Sequence, residues 1–532
     1  MKAKKMVLVQ VLCLALCSLS FAGGQKGQTQ ENSVPRRSDG WFAGKDFSEH
    51  FDVEYAEAYV DEGRNYVDGD AWVRNWANNF NVTYNVIPMT DENWGERVRV
   101  WVNAGDAPEW FTMIFNLAEM RAYAGQGLVK KLPADWRTKF PNLAKAHDSS
   151  GAAEYTDREF GGTYFLHRPI FALNSPPVTK TVGHWTFYLR KDWGLAAGYP
   201  VKDSMKLSEI IEYARRVKAA DPGRVGSGFA PMVFTPGEIG IFVGINCGVG
   251  YKLGQDGKYY WNGGDSKVLE ALKLLAGAYQ EGLLDREFYT IKNPDNLGAF
   301  YTTGRAAVVQ AAGMGWRMTE IDTHFASDLG LKYDDVVAPV VPIAEDGKFW
   351  GGMAGIQTWG SIAFSPSISD AKLERILSML DYSCTREGQY EIRLGLKDID
   401  WKYGAGDEIE VLIPPGTVTD KYALTPVYSW MFILPDDFMF IDPATKKSIR
   451  DKIRDMYILR ERLTTEESFS SKVDWTLELF TPSARIPAID YGADFSALIV
   501  KGGDLEANWR AWVREKQVLL QPAVDELNSL KK

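Results

Sequence analysis

The apolar and polar positions of this chain fall into two rhythms, one near a period of 2 and one near 3.6, and the switches between them lay out strands and helices. Phe80 to Ile87, F-N-V-T-Y-N-V-I, alternates and predicts a strand. Trp94 to Val102 has helical character and is broken by Asn103-Ala104-Gly105-Asp106-Ala107-Pro108, after which Glu109 to Phe115 reads as a buried strand. The order β-α-β favours a parallel sheet covered by helices. The same grammar returns further on: His184 to Leu189 predicts a strand, and Leu207, Ile210, Ile211, Ala214 and Val217 trace one face of a helix. Val268, Leu272, Leu275 and Tyr279 do likewise, with Gly282 as a stop, and so do Leu373, Ile376, Leu377 and Leu380. Strands and helices alternate through most of the chain, so the predicted class is α/β.

Composition narrows the picture. With 532 residues, 45% hydrophobic and 24% charged, the chain is globular and long enough for two large lobes or about three ordinary domains. The net charge is −10, which gives no electrostatic case for nucleic acid. Aromatic residues make up 13%, with 18 Trp, more than core filling usually asks for, so some rings are expected to face a ligand.

Met1 to Ala22 carries three lysines, an apolar run from Met6 and Ser20-Phe21-Ala22 ahead of Gly23, the pattern of a secretory signal peptide. Acylation at Cys17 is the alternative, but the bulky Leu16 before it fits poorly, so lipid anchoring is not expected. No later stretch reaches membrane length without charge, so no integral membrane segment is expected after cleavage. Residues 23 to about 40 read as a polar spacer. Cys247 and Cys384 lie far apart and outside any Cys-x-x-Cys spacing; a single bridge and two buried thiols are both compatible with the sequence.

Several local patterns resemble one family. Asn103-Ala104-Gly105-Asp106-Ala107-Pro108-Glu109, Phe140-Pro141-Asn142-Leu143, Leu189-Arg190-Lys191-Asp192-Trp193, Ala220-Asp221-Pro222, Tyr279 to Phe288 (Y-Q-E-G-L-L-D-R-E-F) and Arg386-Glu387-Gly388-Gln389 occur in the order seen in extracellular solute-binding proteins of ABC importers, family 1. The large oligosaccharide binders, alginate-binding and lipoprotein-type, are the most similar. The resemblance implies a two-lobe periplasmic-binding-protein clamshell with discontinuous lobes: 41–170 and 350–410 in lobe 1, 175–345 and 411–532 in lobe 2, with hinge crossings near Phe171–Asn174 and Phe349–Gly355. It implies a monomer, periplasmic or extracellular, that passes a carbohydrate to ABC permease subunits. Calcium-binding relatives carry an oxygen-rich loop after Asp-Pro. Here the chain reads Asp221-Pro222-Gly223-Arg224-Val225-Gly226-Ser227, with no spaced carboxylates, so neither a metal nor another cofactor is expected.

A sugar presents a C–H face and a hydroxyl edge, and binds between aromatic faces with planar polar groups around it. Trp316, in Ala312-Gly313-Met314-Gly315-Trp316-Arg317, is expected where a strand end opens into a loop, and the family places a stacking Trp there. Trp430 resembles a second stacking position. Trp359 lies just past the second crossing, where a ring would cap the cleft. Asn116 follows a buried strand, at the end where open α/β sheets bind ligands. Arg190 is a candidate partner from Arg-Lys-Asp-Trp, and Arg317 would meet an acidic sugar. Each has a plain structural alternative: core packing for the indoles, a surface ion pair with Asp192 for Arg190, a solvated rim for Arg317. Trp110, inside an apolar run, is expected in the core.

Other classes fit less well. A glycoside hydrolase needs two carboxyls at a defined separation, whereas Asp436-Asp437 and Glu466-Glu467 are sequence neighbours that point apart. Five histidines show no His-Glu-x-x-His spacing, and no Gly-x-Ser-x-Gly or phosphate-loop pattern occurs, so no catalytic residue is assigned and the chain is read as a non-enzyme. A scaffold or adhesin would show repeats. A peptide ligand in the same fold is the alternative that composition does not separate from a sugar.

Overall fold

Period-2 segments become the strands of two separate sheets in the computed structural model of the chain. It describes residues 36–58, 70–89, 91–149, 153–169, 183–291, 295–350, 352–353, 358–405, 408–414, 417–422, 442–470, 474–478, 480–483 and 486–530. The signal-peptide reading, the crossing at Phe171–Asn174 and Trp430 lie outside these residues. The chain up to Lys45 forms a unit of its own, whose described part includes a 3-10 turn at Gly40–Phe42. Everything below concerns Asp46–Lys532.

Nine strands build the two sheets: β1 Phe51–Ala58, β2 Val82–Met89, β3 Trp110–Met113, β4 Leu166–Pro169, β5 Trp185–Arg190, β6 Ser204–Lys206, β7 Val308–Ala312, β8 Val337–Ile343 and β9 Thr358–Phe364. The first sheet has the order β2-β1-β3-β9-β4 and the second β6-β8-β5-β7. Both are mixed. β1 is parallel to β2 and β3, but β9 runs antiparallel to β3 and β4. In the second sheet β5 runs antiparallel to both β7 and β8, and β6 is parallel to β8. The β-α-β unit read over residues 80–115 does place β2 and β3 parallel within one sheet, and each sheet adds antiparallel pairs that local sequence does not mark. In each sheet one strand, the one that follows a passage from the other sheet, enters from the opposite end.

The second sheet is covered on both faces, as the alternation of its side chains requires. Phe187, Leu189, Val308 and Val340 face one apolar cluster, while Tyr188, Val309, Ala311, Val337 and Val341 face another. The first cluster contains the buried face of the helix Leu207–Ala220, which is the predicted set Leu207, Ile210, Ile211, Ala214 and Val217. It also takes Trp509, Trp512, Val513, Leu520 and Val524 from the long C-terminal helix Leu505–Leu530. The other cluster takes Ile449, Ile453, Met456 and Tyr457 from the helix Lys447–Leu463.

The first sheet is packed with rings. Trp110 is buried against Tyr55 at 4.4 Å, in the core as expected, and Trp72 stacks on Trp76 at 5.0 Å. Trp76 meets Tyr382 of the helix Asp370–Ser383 at 5.3 Å, and aromatic pairs of this kind add about 0.5–1.5 kcal/mol each beyond area burial. The same helix is tied to this sheet by polar bonds. Asp381 accepts from the backbone of Asn142 and Leu143 at 2.8 and 2.9 Å, which holds the start of the helix Pro141–Asp148. Further along, the Tyr422 hydroxyl donates to Asp400, and Lys446 pairs with Asp322.

Cys247 and Cys384 are both free thiols. Burial raises the Cys247 thiol to about 11 and pushes Cys384 well up, so both are protonated near neutral pH.

Candidate functional site

The register fixes which strand ends lie together. In the first sheet Thr358 sits opposite Pro169 and Ser361 opposite Met113, so one edge collects the carboxyl ends of β1 to β4 and the amino end of β9. In the second, Trp185 sits opposite Ala312 and Ile343 opposite Lys206, so one edge collects the carboxyl ends of β6, β7 and β8 and the amino end of β5. The chain leaves the first edge after Pro169 and enters the second at Trp185. It leaves the second after Ile343 and returns to the first at Thr358. Both passages therefore join the same two edges, and ligands of open α/β sheets bind at the carboxyl ends of the strands.

The second sheet's edge carries two half-exposed indoles. Trp316 is 52% exposed and Trp185 40%. Trp316 does not stand on a loop. Strand β7 ends at Ala312, Gly313 turns the chain, and a helix begins at Gly315, so the ring projects from a helical first turn. Gly313 is needed for that turn because a Cβ there would lie 2.4 Å from Thr186 Oγ1 and 2.9 Å from the His184 carbonyl, to which its own amide donates at 2.7 Å. Met314, the residue capping this helix, offers no side-chain acceptor, so first-turn amides remain as donors at the edge.

Arg317 is turned inward. It pairs with Glu320, which also accepts from the Tyr301 hydroxyl at 2.6 Å, and its guanidinium lies 4.4 Å from the Trp316 ring centroid. Its charge is thus already matched. Trp185 was missed by sequence reasoning, which read it as a strand position; its place at the first residue of β5 was the available signal. It stacks with His184 at 5.3 Å, and Arg460, buried, donates to the carbonyls of both at 3.2 Å. Burial and the nearby Arg460 charge lower the His184 imidazole to about 4, so it is neutral at ordinary pH.

The first sheet's edge carries Asn116 and Trp359. Asn116 is exposed, but its side-chain oxygen accepts from the Glu119 amide at 2.8 Å while Glu119 returns a bond to the Asn116 amide at 3.1 Å, a capping box on the helix Leu117–Gln126. Only its NH2 is left for a ligand. Ile114, 47% exposed, lies beside it. Trp359 is the second residue of β9, where the pairing with β4 shifts register between Thr358 and Ser361 and Gly360 has φ +84°. Arg190 belongs to neither edge. It closes β5 at the far end, 4% exposed, gripping Asp192 at 2.9 and 2.6 Å under the Trp193 ring at 4.3 Å. The ion pair weighed as a surface feature is half buried: two apolar rings, Trp193 and Phe325, cover the guanidinium, while Asp192 stays partly exposed.

The loop after Asp221-Pro222 is closed by the protein itself. Asp221 adopts φ 38°, and its carboxylate accepts from the amides of Val225 and Gly226 at 2.9 Å each. Among the described residues there is no group of three or more His, Cys, Asp or Glu that would hold a metal ion, and no helix is long and apolar enough to cross a membrane.

No family model matches the sequence, and no curated protein does. Solved structures do match. An alginate-binding protein solved without calcium ion superposes at a TM-score of 0.61 with 14% identity, covering 91% of this chain and 98% of that one. An extracellular solute-binding protein from Bifidobacterium longum subsp. infantis gives 0.61 and 13% identity, over 90% and 97%. An ABC-transporter substrate-binding protein of S. pneumoniae in complex with kestose gives 0.61 and 15%, over 90% and 99%. The likeness extends along nearly the whole length of each, and it establishes architecture: this chain has the two-lobe α/β fold of the ABC-transporter solute-binding proteins.

Proposed function

We propose that the chain is an extracytoplasmic binding protein that captures an oligosaccharide between the two sheet edges and delivers it, chemically unchanged, to the permease of an ABC importer. The observation that carries this reading is the edge of the second sheet, where Trp185 and Trp316 stand half exposed beside helix amides that no side chain caps, at the end of the sheet where β5 begins and β8 ends. Indole faces suit the C–H face of a sugar, and amides suit its hydroxyls. The solved structures of the same fold include proteins described as binding alginate and kestose, which supports a carbohydrate over a peptide.

In this reading residues 41–170 and 350–410 form one lobe and 175–345 and 411–532 the other, and closure is driven by ligand contacts made only in the shut state. Trp316, Trp359 and Trp430 stack on the sugar, Asn116 and the first-turn amides reach its hydroxyls, and Arg317 supports Trp316. The molecule works as an exported monomer. A thermal-shift screen of the mature chain against neutral and acidic oligosaccharides tests it, because a ligand that binds only the folded state raises the melting temperature. The expected result is a shift with at least one oligosaccharide, abolished by Trp316→Ala and accompanied by no new reducing ends. No shift across the panel, or release of shorter sugars, would sink the proposal.

A further inference from the structure

A pocket of about 670 Å³, lined by no residue of the nine strands, lies between the hairpin Tyr251–Leu253/Tyr259–Trp261 and the C-terminal helix Leu505–Leu530. Leu520 and Val524 form its buried floor, and Gln517, Gln521 and Asp525 line one wall. These three are spaced by four residues along one helix face, so successive groups stand roughly 6 Å apart. Tyr260, 45% exposed, supplies an aromatic face from the hairpin.

The walls are fixed in place without any ligand. Asn528 accepts from the Tyr259 amide at 2.7 Å and donates to its carbonyl at 2.9 Å, and the Tyr259 hydroxyl donates to Asp474 at 2.9 Å. The hairpin backbone is thus pinned to the helix through Asn528 and its Tyr259 side chain to Asp474, and a rigid pocket loses little ordering free energy when it is filled. Its volume falls within the range of small-molecule sites.

The lining chooses among ligands. The charged residues are Asp256, Asp525 and Lys258, two carboxylates against one ammonium, which disfavours an anion such as a phosphate. Gln521 donates to Asp525 at 2.7 Å, which orients its amide, and Asp256 accepts from the Lys258 backbone at 3.0 Å. What remains for a ligand is the Gln517 amide and the Gln521 amide oxygen, with the Asp525 carboxylate as a further acceptor, over an apolar floor, beside one ring. That combination matches a neutral, polyhydroxylated ligand presenting hydroxyls along an edge and C–H bonds on a face.

We propose that this pocket is a second, peripheral binding site for a neutral oligosaccharide, independent of the site between the sheets. It would hold a glycan chain at the outside of the molecule. The test isolates it. The full chain carrying Trp316→Ala is titrated calorimetrically with maltopentaose, cellopentaose and mannopentaose, then compared with the same chain carrying Tyr260→Ala or Gln517→Ala in addition. The expected result is binding of at least one pentasaccharide to the Trp316→Ala chain, weakened at least tenfold by either added change, with the melting temperature unaltered. Tyr260→Phe, which keeps the ring, should retain that binding. Absence of binding to the Trp316→Ala chain, or binding indifferent to both Tyr260→Ala and Gln517→Ala, overturns the proposal. Failure of the inter-sheet reading shows up separately, as a wild-type chain whose binding Trp316→Ala leaves unchanged.

Discussion

The guanidinium carbon of Arg317 lies 4.4 Å from the centroid of the Trp316 indole, so one face of that ring is already covered by its own neighbour and, in the proposed function, a ligand would meet the other. Because Arg317 is also paired with Glu320, its charge is satisfied within the protein. Arg317→Met should therefore weaken neutral and uronic oligosaccharides by the same factor, less than about tenfold, through loss of support for the indole. Calorimetric titration of both sugar types reads the difference. A selective loss of the acidic sugar would assign Arg317 to carboxylate recognition instead.

Gly313→Ala brings a methyl to 2.4 Å from Thr186 Oγ1 and 2.8 Å from Arg460 Nη2. Both belong to packed, buried elements, so the expected cost is about 1–3 kcal/mol of stability. Since Gly313 sets the turn from β7 into the helix that carries Trp316, ligand affinity should fall as well. Chemical denaturation and a binding isotherm on the same variant check the two effects.

Asp192→Ala leaves the Arg190 guanidinium buried without its carboxylate. Breaking one partner of such a pair costs about 3–5 kcal/mol, a lower-bound case here because Asp192 is about a third exposed. The melting temperature should drop while the dissociation constant of any bound sugar stays constant. A changed affinity with unchanged stability would return Arg190 to the list of ligand contacts.

Acid should destabilise the chain through two imidazoles, His167, which is buried, and His184, which is half-buried. His167 lies stacked on His147 at 5.0 Å, with its ring nitrogens bonded to Thr156 and Ser361 at 2.8 and 3.1 Å and Asp157 beyond His147; burial lowers it to about 3. His184 is lowered to about 4. Both folded values lie below the ordinary 6.5, so the unfolded chain takes up protons first as pH falls. Stability is full above pH 6.5 and declines toward pH 4, by about 1.4 kcal/mol per pH unit for each imidazole, with His167 alone continuing toward pH 3. His167→Gln should flatten the slope of unfolding free energy between pH 6 and 4.5, which urea titrations at several pH values measure.

Local rhythm made much of this architecture legible. The helix Leu207–Ala220 buries the very side chains its 3.6-residue spacing marks, and Trp185–Arg190 is a strand within one residue of where alternation put it. What stayed hidden is pairing. Nothing in the sequence around Thr358–Phe364 says that it runs backwards between β3 and β4, because strand direction is set by partners far away along the chain. The long helix Leu505–Leu530, with Trp509, Trp512, Leu520 and Val524 on its buried face, was open to the same periodic test and went unread. The small residues around Trp316 marked the end of a strand but not the helix that begins at Gly315, and its stacking role came from the family resemblance. Asn116-x-x-Glu119 spells a helix start that the sequence reading did not use, and Trp185 was hidden within its strand.

The position of β9 in the first sheet has a consequence for how the molecule is made. β3 and β4 are not hydrogen-bonded neighbours; the strand between them is supplied by residues 358–364, after the whole second sheet has been traversed in sequence. An amino-terminal fragment ending before residue 358 would expose two bare strand borders with no neighbour to close them, the kind of surface that recruits other chains. The first half must wait for the second to be synthesised, and loop closure over that span slows folding. If the chain is exported as proposed, threading unfolded through a translocation channel, it would lose nothing by this delay, since the late strand would arrive together with the rest.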